Sequence, residues 1–524
     1  MTSETFDVVV VGGGHNGLVT AAYLARAGKR VAVLERNRYF GGGVATLEMT
    51  QPGFRHERHS AMHVTIMANP LIAKDELGLI SRYGLAYAKP TTSFGAVFED
   101  GDWIGLSPDR KATMASIAAV SPADAESYSR FADFAAEAMS ALIPAFFAPP
   151  VSLGQTLAGM ESTASGRQLA RMTMQSAHDV ICEAFENDKV RTAMLRLVNE
   201  ILLIHPEEAG TGLFAVAGIG FVDGYGFCWP VGGGGGRLTD ALVRCIENDG
   251  GVLRTGVEVE RITVENGRAT GVVTAAGEQY RAIDAVLASI HPHHLDRHID
   301  GLDLELVREA HSTKPSHYTA FVVHAPLERP LEFRRKEAND TALVVVGVTS
   351  LAEYLRDCDQ LRRGQVSDHP LLWSTSFPDP ARAPEGRGVL EVYCMTTYAL
   401  ADGGPAAWEE RIESYRDTIL GRLSQFTHGV PTMPGATPVV VSPLDHERDS
   451  PSFPGGDYNG VGLYLHQMLN YRPTPSLSDY TVPGVAGLYL VGPFMHPGGG
   501  VSGGGRATAV KMLTDLGLDL PANS

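Results

Sequence analysis

Apolar positions near the start of the chain change their spacing twice. Phe6 to Val11 is a continuous β-branched run ending in Gly12-Gly13-Gly14-His15-Asn16-Gly17, the pattern of a strand buried on both faces. Leu18, Ala21, Ala22, Leu24 and Ala25 then recur at helical spacing up to a stop at Gly28. Val31 to Leu34 follows as a second buried strand, with Glu35 at its end. Strand, turn, helix and strand in so short a span require a parallel sheet and a right-handed crossover.

Further along, residues 117–220 are mainly helical in pattern, with Ser121 as the cap and Pro122 at the first position of one helix. Gly232 to Gly236 leads into another helix, Arg237 to Asn248. Strict alternation then marks Gly256 to Val264 as a strand, Asn266-Gly267 as a tight turn and Ala269 to Thr274 as the hairpin partner. Ala285 to Ile290 is one more buried strand. Residues 316–440 mix strand-like runs, Ala342 to Val348 and Val389 to Met395, with one helix, Ala407 to Gln425. Gly487 to Gly492 is a final strand, followed by a Gly-rich loop and a closing helix from Arg506 to Leu516.

Composition narrows the class. A chain of 524 residues suggests two or three domains. Its 58 glycines exceed the roughly 7% of average usage, without the every-third-residue period of collagen. A net charge of -17 argues against a nucleic-acid partner, whose binding face would be basic. Five cysteines with no C-x-x-C pair make neither a disulfide framework nor a dithiol redox centre. The N-terminus lacks a basic region before its apolar run, and no stretch reaches the length of a spanning helix, so a cytoplasmic location is expected. Ala138 to Leu153 is weakly polar but interrupted by Pro144, Pro149 and Pro150. It lacks a basic polar face, so a soluble lid ranks above membrane contact.

Gly12, Gly14 and Gly17 form G-x-G-x-x-G after a strand and at the start of a helix. The first glycine permits the turn, the second admits a pyrophosphate and the third lets helix and strand pack closely. Glu35, at the end of the second strand, stands where a carboxylate takes ribose hydroxyls, and it would repel a 2′-phosphate. This unit does not distinguish FAD from NAD. Gly41-Gly42-Gly43 adds a second glycine turn just beyond Glu35, and Gly498-Gly499-Gly500 a third after the last strand.

VVVVGGGHNGLVTAAYLARAGKRVAVLERN, LRTGVEVERITVENGRATGV, MLNYRPTPSLSDY and GLYLVGPFMHPGGGVSGGG together resemble the phytoene desaturase-type FAD-dependent oxidoreductases. Within that group they are most similar to the phytoene dehydrogenase-related, or pyridine nucleotide-disulfide oxidoreductase domain 2-like, branch. The resemblance spans nearly the whole chain. It implies an α/β fold of amine oxidase and phytoene desaturase type: a discontinuous Rossmann-like FAD-binding domain (1–90, 225–300 and 440–524) and a mixed sheet-plus-helix substrate domain with a helical lid (91–224 and 301–439). It implies that Gly12, Gly14, His15, Asn16, Gly17, Glu35 and Arg36 hold the ADP half of FAD. Gly42 and Gly43 would approach the pyrophosphate and ribityl region, and Val259 the adenine. Gly492, Gly499, Gly500, Val501 and Ser502 would hold the flavin end. Pro493 stands where many relatives carry an acidic or small polar residue.

The implied reaction is dehydrogenation, by desaturation or oxidation, of a mainly apolar small molecule such as an isoprenoid or cyclic compound, with hydride transfer to flavin N5. Rivals are a redox-neutral isomerase or hydratase, a flavin amine oxidase, and a non-enzymatic prenyl-binding protein. Gly232 to Gly236 follows no buried strand, so it reads as a helix entry and not a nicotinamide site. Oxygen, a quinone or another diffusible carrier is therefore expected to take the electrons. His496, two residues before the glycines, reads equally as a proton donor or acceptor beside the flavin or as a packing residue. His59, His63 and Tyr464 are candidates for lining the substrate channel. His291, His293 and His294 read as an ordinary loop, and no metal is expected. The oligomeric state is left open.

Overall fold

The computed structural model describes residues 3–375, 379–501 and 503–521. Two seven-stranded sheets form its frame. In the first, Ser3–Val11 lies parallel between Val31–Glu35 and Gln279–Ala288, with Val8 opposite Val31 and Val9 opposite Val286. Val8, Val9, Val10, Val31, Ala32 and Val33 are fully buried, which is why these strands read as continuous apolar runs. His15–Arg26 supplies the crossover.

Several boundaries differ from the sequence reading; the hairpin strand expected from Gly256, for example, begins at Val259. Val252–Thr255 is a separate strand, parallel to Val31–Glu35, ahead of the Val259–Glu265 and Arg268–Thr274 hairpin. Four half-exposed residues carry no alternation long enough to reveal it. The strand expected at Ala285 begins at Gln279, because its two halves have different partners. Its start pairs antiparallel with the hairpin, Gly271 opposite Arg281, and its end pairs parallel with Leu488–Leu490.

The closing helix starts at Gly503, three glycines earlier than expected. A Cβ at Gly505 would stand 2.6 Å from the Asn16 carbonyl oxygen, so glycine here lets the closing helix press against the first helix. Asn16 Oδ1 accepts the Gly505 amide at 2.9 Å, and Arg506 is forked onto the buried Glu76 carboxylate at 2.8 Å.

The second sheet runs Val439–Val441, Thr319–Leu327, Gly388–Thr396, Leu372–Thr375, Thr341–Val348, Thr92–Phe98 and Trp103–Leu106 in spatial order. Alternate residues face opposite layers. Phe94, Ala96, Leu343 and Val345 pack under the helices of residues 110–224, whereas Val97, Val344 and Val346 pack against the helix Trp408–Phe426. Ser121 caps its helix as expected, accepting the Asp124 amide. A helix missed in the sequence, Leu351–Arg362, carries a capping box of Ser350 and Glu353 and buries Tyr354, Cys358 and Leu361. No helix among the described residues is long and apolar enough to cross a membrane.

Candidate functional site

A cavity of about 440 Å³ lies across the carboxyl ends of the first sheet and reaches the second. This is where an open α/β sheet receives ligands. Gly12, Gly14, His15, Asn16, Gly17, Glu35, Arg36, Gly42, Gly43, Val259, Gly492, Gly499, Gly500 and Val501 all line it. Ser502 lies outside the described residues.

Local geometry explains the glycines. Gly12 has φ of 95°, in the left-handed region that favours glycine, and its amide donates to the Leu34 carbonyl at 2.8 Å as the chain turns off the sheet. A Cβ at Gly17 would stand 2.7 Å from the Gly12 carbonyl oxygen, so the helix can close on the turn only without one. At Gly14 a Cβ would meet no atom within 4 Å; its missing side chain opens the cavity instead. The second glycine turn zips onto the first through Gly41 N to Gly13 O (2.8 Å) and His15 N to Gly41 O (3.1 Å).

Glu35 is 7% exposed and accepts the Gly13 amide at 2.7 Å and the Asn37 amide at 2.8 Å. Its carboxylate thus ties the strand end to the glycine turn. Val257 N reaches the Glu35 carbonyl at 2.9 Å, which brings Val259 to the same end of the cavity. Burial drives the His15 imidazole down to about 4, so it is neutral at the helix start that faces the cavity. This backbone cradle, with a helix N-terminus and an acceptor at the strand end, fits the ADP half of FAD.

At the other end the organising group is Arg472, in the MLNYRPTPSLSDY run, to which the sequence analysis assigns no role. It is fully buried and donates to the carbonyl oxygens of Asn459 (2.9 Å), Val461 (2.8 Å), Pro493 (2.8 Å), Met495 (3.1 Å) and Gln467 (3.2 Å). Desolvation pulls it down to about 10, still protonated at neutral pH. One cation therefore gathers two cavity-wall loops, and the main chain at Pro493 bonds inward to Arg472. Beyond Gly499 the walls turn apolar: Leu197, Ile201, Phe227, Leu343, Trp373 and Leu463.

His59 lines the cavity, but three other candidates stand outside its walls. His63 lies within 3.1 Å of the Tyr87 hydroxyl, and its neighbours Met62 and Val64 face the cavity in its place. Tyr464 donates to the Pro315 carbonyl at 3.1 Å, leaving Leu463 on the wall. His496 donates Nε2–H to the Ala145 carbonyl at 2.9 Å, and burial holds it neutral, at about 4. That contact, with Arg506 on the Phe147 carbonyl at 2.7 Å, ties the end of Pro122–Phe146 to the glycine loop. Three amides of the Gly232–Gly236 run are taken by side chains: Gly233 by Asp379 (2.9 Å), Gly235 by Glu57 (2.9 Å) and Gly236 by Thr46 (2.8 Å). Sequence reasoning also missed the Asp449–Phe453 wall segment, whose residues carry no motif.

Similar proteins place this geometry. A limonene dehydrogenase component from Castellaniella defragrans is 27% identical, covering 98% of this chain and 95% of that protein. The mouse pyridine nucleotide-disulfide oxidoreductase domain-containing protein 2 is 28% identical over 98% of this chain and 94% of its own. The neurosporene-forming phytoene desaturase of Cereibacter sphaeroides is 25% identical, with 98% and 95% covered. Among solved structures, cyclohexylamine oxidase from Brevibacterium oxydans shares the fold at 15% identity and a TM-score of 0.57, with 98% and 99% covered. Residues 7–356 match the family model described as FAD dependent oxidoreductase. With that match over most of its length, and a glycine cradle shaped for a dinucleotide, the chain belongs to the FAD-dependent oxidoreductase family.

Proposed function

We propose that this enzyme dehydrogenates a mainly apolar small molecule, an isoprenoid or a cyclic compound. FAD, when bound, supplies a two-electron acceptor whose N5 takes a hydride. The protein's part is placement. The glycine turns and Glu35 fix the cofactor through main chain, and Arg472 fixes the loops at the flavin end. Leu197, Ile201, Phe227 and Leu343 give the remaining volume an apolar wall that binds hydrocarbon and excludes water. This wall is the observation that carries the reading. The names of two relatives, a limonene dehydrogenase and a phytoene desaturase, support it. Because the Gly233, Gly235 and Gly236 amides are already engaged by side chains, oxygen, a quinone or another diffusible carrier is the proposed final acceptor.

The test is anaerobic mixing of the yellow protein with cyclic alkenes, longer isoprenoids and amines. Stoichiometric bleaching of the flavin by an alkene or isoprenoid is expected. Product formation without bleaching would make the enzyme a redox-neutral isomerase or hydratase, and bleaching by amines alone would make it an amine oxidase.

A further inference from the structure

Outside the cofactor cavity, buried polar atoms without partners concentrate in one place. Among the described residues, His56 Nδ1, both ring nitrogens of His324 and Glu391 Oε2 have no hydrogen-bond partner. The three residues are 0%, 1% and 7% exposed. One ligand atom from each lies within 4.8 Å of the others. Isolated buried polar atoms of this kind are rare in folded proteins, and their convergence points to something that binds them.

The fold assembles this group from three distant segments. His324 and Glu391 face each other across the antiparallel strands Thr319–Leu327 and Gly388–Thr396. His56 comes from the ribbon of Thr46–Leu47 and His56–Glu57, which lies against that sheet. The atoms pointing away from the centre are occupied. His56 Nε2 is 2.9 Å from the Thr50 hydroxyl, and in the tautomer that donates Nε2–H to that hydroxyl the Nδ1 lone pair is left for a ligand. Glu391 Oε1 accepts from the Arg382 guanidinium and the Glu57 amide, which leaves Oε2. The Arg382 charge has a second carboxylate in Glu57, 3.9 Å from its Nε.

We propose that His56, His324 and Glu391 bind one divalent transition metal of the zinc type. Two neutral imidazoles and a carboxylate are a ligand set for such an ion. A small cavity of about 30 Å³, faced by His324, Glu391 and His446, has room for a water at a fourth position. The ion clips the ribbon to the second sheet. Arg58 to Ala61, next along the chain, line the cofactor cavity, so the clip also fixes that wall.

The experiment uses the yellow holoprotein, dialysed against chelator and titrated with zinc(II) by calorimetry. One zinc per chain is expected. His324→Ala and Glu391→Gln should weaken binding at least about tenfold, and His311→Ala, on a half-exposed ring elsewhere, should leave it unchanged. The visible flavin spectrum shows that each variant has folded. X-ray absorption at the zinc edge of the wild type gives a readout that needs no variant, with imidazole scattering expected. Absence of zinc uptake by the wild type, equal uptake by all variants, or an absorption edge without imidazole would each overturn the proposal.

Discussion

The two ends of the cavity are built on opposite principles. At the glycine end the ligand meets main chain: Gly12, Gly14, Gly17, Gly42, Gly43, Gly499 and Gly500 line the cavity with bare Cα atoms. At the far end it meets side chains from widely separated segments, including Phe227, Leu343, Trp373 and Tyr458. Main-chain recognition requires that side chains be absent, which a short contiguous sequence specifies. Side-chain walls are set by tertiary placement, and each can change alone. The contrast teaches that cofactor and substrate specificity are separable in this fold, and mutations can test that separation.

The largest effect should come from the glycine end. Gly14→Ala adds a methyl where no protein atom stands within 4 Å, so the chain should fold while the methyl takes ligand space. Flavin content after gel filtration should fall by about tenfold or more, with the far-ultraviolet dichroism unchanged. Gly17→Ala puts the same methyl 2.7 Å from the Gly12 carbonyl oxygen and should lose both flavin and thermal stability, by about 1–3 kcal/mol. Equal behaviour of the two variants would show that the cradle is not built from absent side chains.

The same contrast governs what was legible in the sequence. The opening strand–turn–helix–strand unit and the terminal glycine loop are local patterns, and their residues meet in the cavity. Arg472 lies in the MLNYRPTPSLSDY run that carries the resemblance, but nothing in that run says that its guanidinium gathers five carbonyls. His56, His324 and Glu391 are far apart in the chain and converge only through strand pairing. His63 and Tyr464 were near misses: the neighbouring residues face the cavity, an error that single-residue alternation in short irregular segments makes easy. The strand Val252–Thr255 was lost for lack of length.

A smaller effect is expected from the far end. The Trp373 ring packs edge-on against Tyr393, centroids 4.5 Å apart, and lines the apolar wall. Trp373→Ala removes this wall without touching the glycine turns. KM for an apolar substrate should rise about tenfold, the equivalent of a partly buried aromatic contact, while flavin content and visible spectrum stay as in the wild type. Flavin loss in this variant would break the separation of the two ends.

The smallest effect on turnover is expected at His496, which lies in sequence beside the glycine loop yet does not line the cavity. Its Nε2–H donates to the Ala145 carbonyl, and burial lowers it from about 6.5 to about 4. Between those values the unfolded chain binds a proton that the folded chain refuses. The histidine's share of stability is therefore complete above pH 6.5 and is lost as pH falls toward 4. His496→Gln keeps a donor for Ala145 but does not titrate. Denaturant unfolding of the variant should depend less steeply on pH across that window, by on the order of 1–2 kcal/mol at pH 5. The pH profile of kcat/KM should not move, and kcat should stay within about twofold. A profile that loses a limb in the variant would make His496 a proton-handling residue, and would carry the reactive end of the cavity past Gly498 to a ring now bonded to Ala145.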